Sequence, residues 1–131
     1  MIDCMFLGDS IAEGTQQFRP KCIAYAERGI NSSQWNKRNA NKNLNAKTVI
    51  ISLGSNDHEN VRTLWELQKL RTKVDAERVF WILPANNPDI QQMVQLVAKD
   101  YGDTVLPIEK LANDKIHPTW SGYRKLAEQT K

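Results

Sequence analysis

Lys47-Thr48-Val49-Ile50-Ile51-Ser52-Leu53 is followed directly by Gly54-Ser55-Asn56-Asp57. The first segment is a nearly continuous apolar run rich in β-branched residues, which is typical of a strand covered on both faces of a parallel sheet. The second segment has the residue types of a turn. We therefore predict a central parallel strand over residues 47–53, with polar side chains placed directly after its carboxyl end.

Four further short apolar segments accompany this strand along the chain, at residues 2–7, 22–25, 78–83 and 104–107. Apolar residues recur at helical spacing in the longer stretches 59–75, 88–101 and 119–129. Alternation of strands with helices is the pattern of βαβ units around a parallel sheet. We therefore predict an α/β protein, and its 131 residues, without internal repeat or linker, indicate one domain over residues 1–131.

Composition excludes several broad classes of protein. With 40% hydrophobic and 25% charged residues, the chain is not intrinsically disordered. A net charge of +3 is too small to indicate a dedicated nucleic-acid-binding domain, so no nucleic-acid partner is predicted. Positive charge is concentrated only at Lys37, Arg38, Lys42 and Lys47, which we interpret as a solvated face or loop, with an anionic ligand surface as the alternative.

Targeting signals are equally sparse. No apolar run approaches the roughly 18 to 20 residues that cross a bilayer, so no membrane span is predicted. The first residues contain neither a basic segment nor a small-residue cleavage site, so no secretory signal is predicted. A cytoplasmic location is the default expectation, with phage-associated release as the alternative.

The chain contains two cysteines, Cys4 and Cys22. They are too few for a disulfide scaffold and lack the spacing and histidine partners of a structural zinc site. We predict two free thiols, buried as small hydrophobic residues. The alternative is a disulfide between neighbouring strands, which requires an oxidising compartment.

Ser10 follows the first predicted strand within Gly8-Asp9-Ser10. At a turn from strand to helix its hydroxyl is exposed, and its own N–H lies at a helix N-terminus, where developing negative charge is stabilised. We interpret Ser10 as a candidate nucleophile and oxyanion donor, with a helix N-cap as the alternative.

His117 and Asp114 lie three residues apart after the last predicted strand. An imidazole can take the proton of a serine hydroxyl and return it to a leaving group, and a nearby carboxylate can orient the ring. The sequence therefore predicts a Ser10, His117, Asp114 triad. The alternative is an exposed acid and an exposed histidine that precede a helix.

Other strand ends offer donors and cleft residues. Gly29 N–H and the Asn56 amide suit an oxyanion hole, the alternatives being a turn glycine and an Asx turn. Asp57 is interpreted as a helix-capping carboxylate. The candidate substrate-cleft residues are Asp9, His58 and Trp120. The alternatives are that Asp9 orders its loop and that His58 belongs to the first turn of a helix. Trp120 and Trp35 could each wall the cleft or, alternatively, fill the core.

Taken in order, these segments resemble the four sequence blocks of the SGNH hydrolases, also called the GDSL esterase/lipase family. The blocks are Phe6-Leu7-Gly8-Asp9-Ser10-Ile11-Ala12-Glu13-Gly14, Arg28-Gly29-Ile30-Asn31-Ser32, Gly54-Ser55-Asn56-Asp57 and Asp114-Lys115-Ile116-His117-Pro118-Thr119-Trp120-Ser121-Gly122-Tyr123. The second block has Asn31-Ser32 where many members have Ser-Gly, and the third has Ser55 where Thr is usual.

The resemblance implies both a fold and a set of roles. The fold is a flavodoxin-like three-layer α/β/α sandwich whose five parallel strands are ordered 2-1-3-4-5. The implied catalytic residues are Ser10, Asp114 and His117, and the implied oxyanion donors are Ser10, Gly29 and Asn56. No metal or organic cofactor is implied.

Chain length narrows the expected activity. The chain is shorter than many members of the family and has no long insertion that could build a deep acyl pocket. We expect a serine esterase that removes small, acetyl-like groups from a small-molecule or glycan ester, including a carbohydrate or cell-wall glycan. The alternatives are a thioesterase or lysophospholipase with the same residues, and a weakly active glycan-binding or virion structural module. The oligomeric state is not predicted.

Overall fold

A computed structural model describes residues 1–131. The strands are β1 (Cys4–Gly8), β2 (Ile23–Ala26), β3 (Asn45–Ser52), β4 (Asp75–Ile82) and β5 (Thr104–Leu106). The helices are α1 (Ser10–Gln16), α2 (Ser32–Arg38), α3 (Thr63–Thr72), α4 (Pro88–Tyr101) and α5 (Trp120–Gln129). All strands are parallel and lie in the order β2-β1-β3-β4-β5, which confirms the predicted class and strand order.

Both faces of the sheet are covered, because successive side chains of a strand point to opposite sides. On β3, Val49 and Ile51 enter a core of 18 buried residues, whereas Ile50 enters a second core of nine. The larger core lies beneath α2, α3 and α4, and the smaller beneath α1 and α5. The layers are therefore helix, sheet and helix.

Most element boundaries differ from the predicted ones by a few residues. β4 begins at Asp75 rather than residue 78, because backbone pairing with the start of β3 extends it through polar residues that an apolar pattern does not mark. α3 begins at Thr63 rather than residue 59, since His58 to Val61 form a turn. α4 matches its predicted span; Asn87 caps its N-terminus and Gly102 ends it in a left-handed conformation.

None of the five helices has the length and apolarity that a transmembrane segment requires. The cationic cluster Lys37, Arg38, Lys42 and Lys47 is exposed, as a solvated face would be. Lys42 lies over the ring of Tyr25.

The prediction of two free thiols is wrong: Cys4 and Cys22 form a disulfide. The parallel register pairs Met5 with Ile23, so the residues before them lie side by side on the two strands. The bridge therefore joins β1 to the edge strand β2. It closes a loop that contains all of α1.

We expect reduction of this disulfide to lower the free energy of unfolding by about 3 kcal/mol, since closing a loop of about this length removes conformational entropy from the unfolded chain. Guanidinium unfolding of the wild type with and without dithiothreitol measures the change. A Cys4→Ala/Cys22→Ala variant is the control, because dithiothreitol should leave it unaffected. Equal stability of the oxidised and reduced wild type would contradict the prediction.

Candidate active site

The structure brings Ser10, His117 and Asp114 into one hydrogen-bonded chain. The Ser10 hydroxyl lies 2.9 Å from His117 Nε2, although the two residues are 107 positions apart. His117 Nδ1 lies 2.7 Å from Asp114 Oδ2. Because an ionised carboxylate only accepts, His117 donates its Nδ1 proton to Asp114, which leaves Nε2 to accept the hydrogen bond of the serine hydroxyl.

The loop between β5 and α5 presets the histidine. Asp114 Oδ1 accepts the backbone N–H groups of Ile116 and His117, each at 2.9 Å. These hydrogen bonds, first that of Ile116, and the contact with the His117 ring lower the pKa of Asp114 from 3.8 to about 2. Asp114 is therefore ionised throughout the neutral range, and its two oxygens hold both the backbone and the ring of His117.

Ser10 is placed by the tight passage from β1 to α1. Gly8 ends β1 at a φ of +146°, a conformation that L side chains rarely adopt, and it lies directly against the backbone of Ser52. Asp9 then caps α1 by accepting Ile11 N–H at 3.0 Å. Ser10 is thus the first residue of the helix, and its own N–H donates to no protein group.

Asp9 does not line a cleft, contrary to one of the two roles predicted for it. It is fully buried, and its carboxylate accepts the hydroxyls of Ser52 and Ser55 at 3.1 and 2.8 Å. Burial raises the pKa of Asp9 above 3.8, although these hydrogen bonds oppose the shift. Asp9 instead joins the loop after β1 to the loop after β3, in agreement with its other predicted role of ordering the loop.

Gly29 and Asn56 belong to two neighbouring loops that one hydrogen bond joins. Asn56 Nδ2 donates to the carbonyl of Ile30 at 3.1 Å, which ties the loop after β3 to the loop after β2. One amide proton of Asn56 remains. Gly29 adopts a φ of +75°, and its N–H donates to no protein group.

Asp57 and His58 are adjacent in the sequence but have different contacts and different roles in the structure. Asp57 caps a helix, as predicted, but the helix is α2: it accepts Ser32 N–H at 2.9 Å and the Ser32 hydroxyl. His58 is exposed and lies in the turn before α3, where its Nδ1 accepts Asn60 N–H at 3.2 Å. It is therefore neither a first-turn residue of α3 nor part of the Ser10 cleft, because the turn places it beside Asn87 and Met93.

Trp35 and Trp120 have opposite environments. Trp35 is buried in the larger core, with its indole N–H donating to the carbonyl of Tyr25. Trp120 is 68% exposed at the start of α5 and packs edge-on against Phe18 at 5.1 Å between ring centroids. Trp120 is therefore not a core residue, and it does not belong to the seven residues that line the cleft at Ser10.

The cleft at Ser10 and His117 has a volume of about 570 Å³. Its other lining residues come from α1 and the residue that follows it, from the loop after β2, and from α5; they are Glu13, Gly14, Gln17, Arg28 and Tyr123. Sequence reasoning did not single out the side chains among them as site residues. The helical spacing of Glu13 and Gln17, three and seven residues after Ser10 at α1 and its C-cap, was the signal that could have found two of them.

Tyr123 reaches the cleft because residue 14 is glycine. A Cβ on Gly14 would lie 2.5 Å from the Tyr123 ring, so the ring packs directly on the α1 backbone. Burial, together with the negative charges of Asp9 and Asp114, raises the pKa of the Tyr123 hydroxyl above 10.0. Tyr123 therefore presents a neutral hydroxyl to the cleft at neutral pH. No group of three or more His, Cys, Asp or Glu side chains is arranged to hold a metal ion.

Solved structures share this architecture over nearly the whole chain. A protein from Parabacteroides merdae assigned as a GDSL-like lipase superposes with a TM-score of 0.73 at 13% identity, covering 97% of this chain and 92% of that one. The chain has the SGNH-hydrolase fold. A protein from Bacteroides fragilis assigned as an acylhydrolase gives 0.65 at 21% identity, with 96% and 83% coverage.

The same SGNH-hydrolase fold occurs in the C-terminal catalytic domain of peptidoglycan O-acetyltransferase A from Streptococcus pneumoniae, solved with a methylsulfonyl adduct. Its TM-score is 0.63 at 17% identity, and the match covers 97% of this chain and 89% of that domain. The resemblance found in the four sequence blocks is thus confirmed at the level of the fold. No family model and no curated protein matches the sequence.

Proposed function

We propose that this protein is a serine esterase that hydrolyses small acyl esters of polar alcohols, including carbohydrates. The observation that carries the proposal is the hydrogen-bonded chain from Ser10 through His117 to Asp114, which opens onto a cleft. A hydroxyl becomes a nucleophile when a base lies within hydrogen-bond reach and a third group orients that base. The SGNH-hydrolase fold supports the same conclusion.

Acylation begins when Ser10 Oγ attacks the ester carbonyl carbon. His117 Nε2 takes the hydroxyl proton as the carbon–oxygen bond forms, and the carbonyl oxygen becomes an oxyanion. As the tetrahedral intermediate collapses, the bond to the alcohol breaks and His117 returns the proton to the departing oxygen. The alcohol leaves, and the acyl group remains on Ser10.

Deacylation repeats these steps with water as the nucleophile. His117 takes a proton from water while the water oxygen attacks the acyl carbon, and then returns a proton to Ser10 Oγ as that bond breaks. Asp114 stays ionised and stabilises the imidazolium in both halves of the reaction. The products are the carboxylic acid and the regenerated serine.

The oxyanion is assigned to donors that the fold leaves unpaired. These are Ser10 N–H at the start of α1, Gly29 N–H and the remaining amide proton of Asn56. Pre-oriented donors stabilise the charge that develops in the transition state without reorganising during the reaction. The bond from Asn56 to Ile30 ties the Asn56 amide to the residue after Gly29, which supports a joint role for these two donors.

The lining of the cleft favours a short acyl group and a polar alcohol. Tyr123 is its one aromatic or aliphatic side chain; the others are polar or charged, apart from Gly14. A pocket for a fatty acyl chain would gain roughly 0.8 kcal/mol for each buried methylene, and Tyr123 is the one hydrophobic side chain on this lining that could supply such a gain. The lining therefore argues against a lysophospholipase. An acetyl group is also the acyl group in the name of one structural neighbour, the peptidoglycan O-acetyltransferase.

We expect kcat/KM to be highest for 4-nitrophenyl acetate and to fall through the butanoyl, octanoyl and dodecanoyl esters, because Tyr123 is the one hydrophobic side chain of the cleft against which added methylenes can pack. Release of 4-nitrophenol measures each rate, with the Ser10→Ala variant as the background. Rates that rise with chain length would refute the preference for small acyl groups. An equal rate in the wild type and in Ser10→Ala on every ester would refute the esterase itself.

A further inference from the structure

Arg28 is a cationic group in the cleft that the proposed reaction does not use. Its side chain is 83% exposed, and it lines the same cleft as Ser10 and His117. It is the only lysine or arginine on that lining. A positive charge next to a reacting serine takes no part in moving the proton of Ser10, but it can select which alcohol is bound.

One of the three guanidinium nitrogens of Arg28 is hydrogen-bonded to the protein, and the other two are free to bind a ligand. Its Nε–H donates to Glu13 Oε1 at 3.2 Å. The N–H groups of its two Nη atoms donate to no protein group. These are the atoms that bind a carboxylate in a two-pronged arrangement, and the bond from Nε limits how far they can swing.

No second acid of the loop competes for Arg28. The preceding residue, Glu27, forms its ion pair with Arg38 at the end of α2. Glu27 N–H also donates to the carbonyl of Gly8 at 3.0 Å, which fixes the loop to the end of β1, two residues before Ser10. Arg28 therefore lines the cleft with Glu13 as its one acidic partner.

The negative charge of Glu13 limits how strongly an anion binds at Arg28. Glu13 lines the same cleft, so its carboxylate repels an anion placed at Arg28 and weakens the binding that Arg28 alone would give. Arg28 lines the cleft together with Ser10 and His117, so a carboxylate bound to its guanidinium would lie in the cleft.

We propose that Arg28 is a carboxylate-binding subsite, so that the preferred ester substrate is an acylated alcohol that also carries a carboxylate, such as an acidic sugar. The inference rests on the proposed esterase function and narrows its substrate class. Arg28 selects the alcohol half of the ester, and the negative charge of Glu13 sets the strength of that selection. Arg28 takes no part in bond breaking at Ser10.

The test compares two matched esters: an acetylated methyl glucuronide, which carries a carboxylate, and the corresponding acetylated methyl glucoside, which does not. Acetate release gives kcat/KM for each. We expect the wild type to prefer the acidic ester by about tenfold, the size of one charge-assisted hydrogen-bonded contact. Arg28→Gln should remove that preference, Arg28→Lys should keep only part of it, and Glu13→Gln should increase it.

Arg62→Gln is the matched control, because Arg62 is also an exposed arginine but lies at the start of α3 against Trp65. It should leave the preference unchanged. A preference that Arg28→Gln does not alter, or a wild type that treats the two esters alike, would show that Arg28 and Glu13 form only a surface ion pair and would overturn the proposal.

Binding separates failure of this inference from failure of the proposed function. Calorimetry with Ser10→Ala and the acidic ester should show binding that weakens about tenfold in Ser10→Ala/Arg28→Gln. If neither ester is hydrolysed but this difference is seen, the subsite stands and the esterase does not. If hydrolysis occurs and the two variants bind the acidic ester equally, the esterase stands and the subsite does not.

Discussion

Ser10→Ala and His117→Ala should each lower kcat on 4-nitrophenyl acetate by roughly 10⁴- to 10⁶-fold. The reason is that the two residues act as one catalytic unit, so removing either one abolishes the contribution of both to catalysis. The Ser10 hydroxyl and His117 Nε2 are 2.9 Å apart, so each group depends directly on the other. The double variant should therefore be no slower than the single ones. Initial rates of 4-nitrophenol release measure all three.

Two further variants separate catalysis from folding. Asp114→Asn should cost about 10⁴-fold, because an amide can no longer hold the His117 tautomer in which Nε2 accepts the serine proton. Ser33→Ala, a serine on α2 outside the cleft, is the matched control and should retain full activity. If Ser10→Ala retained more than a hundredth of the wild-type kcat with normal stability, the assignment of the nucleophile would be wrong.

Gly8→Ala should lower the free energy of unfolding by at least about 4 kcal/mol, in the range of the most damaging single substitutions. A Cβ at this position would lie 2.7 Å from the carbonyl carbon of Ser52 and closer still to its oxygen. That carbonyl also accepts Asp9 N–H at 3.0 Å, so β1 and β3 cannot move apart without losing the bond. Guanidinium unfolding measures the loss.

Gly102→Ala is the matched control for this prediction. Gly102 also has a positive φ, of +69°, but no atom lies within 4 Å of the Cβ that would be added. Its substitution should cost only about 1 kcal/mol, the usual penalty for a left-handed alanine. The difference between the two variants measures the collision with Ser52 together with the extra cost of a φ of +146° over one of +69°. Equal losses would contradict the account of how β1 approaches β3.

The sequence was sufficient for the parts of the site that depend on local spacing. Asp114 and His117 are three residues apart on one loop, so their contact needs no knowledge of packing. Ser10 could be placed opposite them because parallel strands bring their carboxyl ends to one edge of the sheet. The strand order was expected from the family resemblance rather than from any local pattern.

Features that depend on register or on helix packing were not predictable in this way. The disulfide of Cys4 with Cys22 follows from the pairing of Met5 with Ile23, and a one-residue slip would have separated the two thiols. The burial of Asp9 depends on two serine hydroxyls from another loop. The sequence pattern of an aspartate after a strand is the same whether its side chain lines a cleft or is buried in the protein.

The contacts that Arg28 and Tyr123 make at the cleft were likewise not predictable from local spacing, because they join separate elements. Arg28 and Glu13 are 15 residues apart, and they meet only because β2 lies beside β1 and α1 packs over both. Tyr123 reaches the cleft because α5 packs on α1 at Gly14. Substrate selection is assigned to these contacts between elements, whereas bond breaking is assigned to residues that the sequence motifs mark.

The most direct test of the central claim is to trap the acyl group on the protein. The wild type is mixed with excess 4-nitrophenyl acetate, quenched in acid within the first turnovers, digested and analysed by mass spectrometry. The account predicts one acetyl group, on the peptide that contains Ser10, and none in Ser10→Ala. An acetyl group on any other residue, with hydrolysis undiminished in Ser10→Ala, would contradict it.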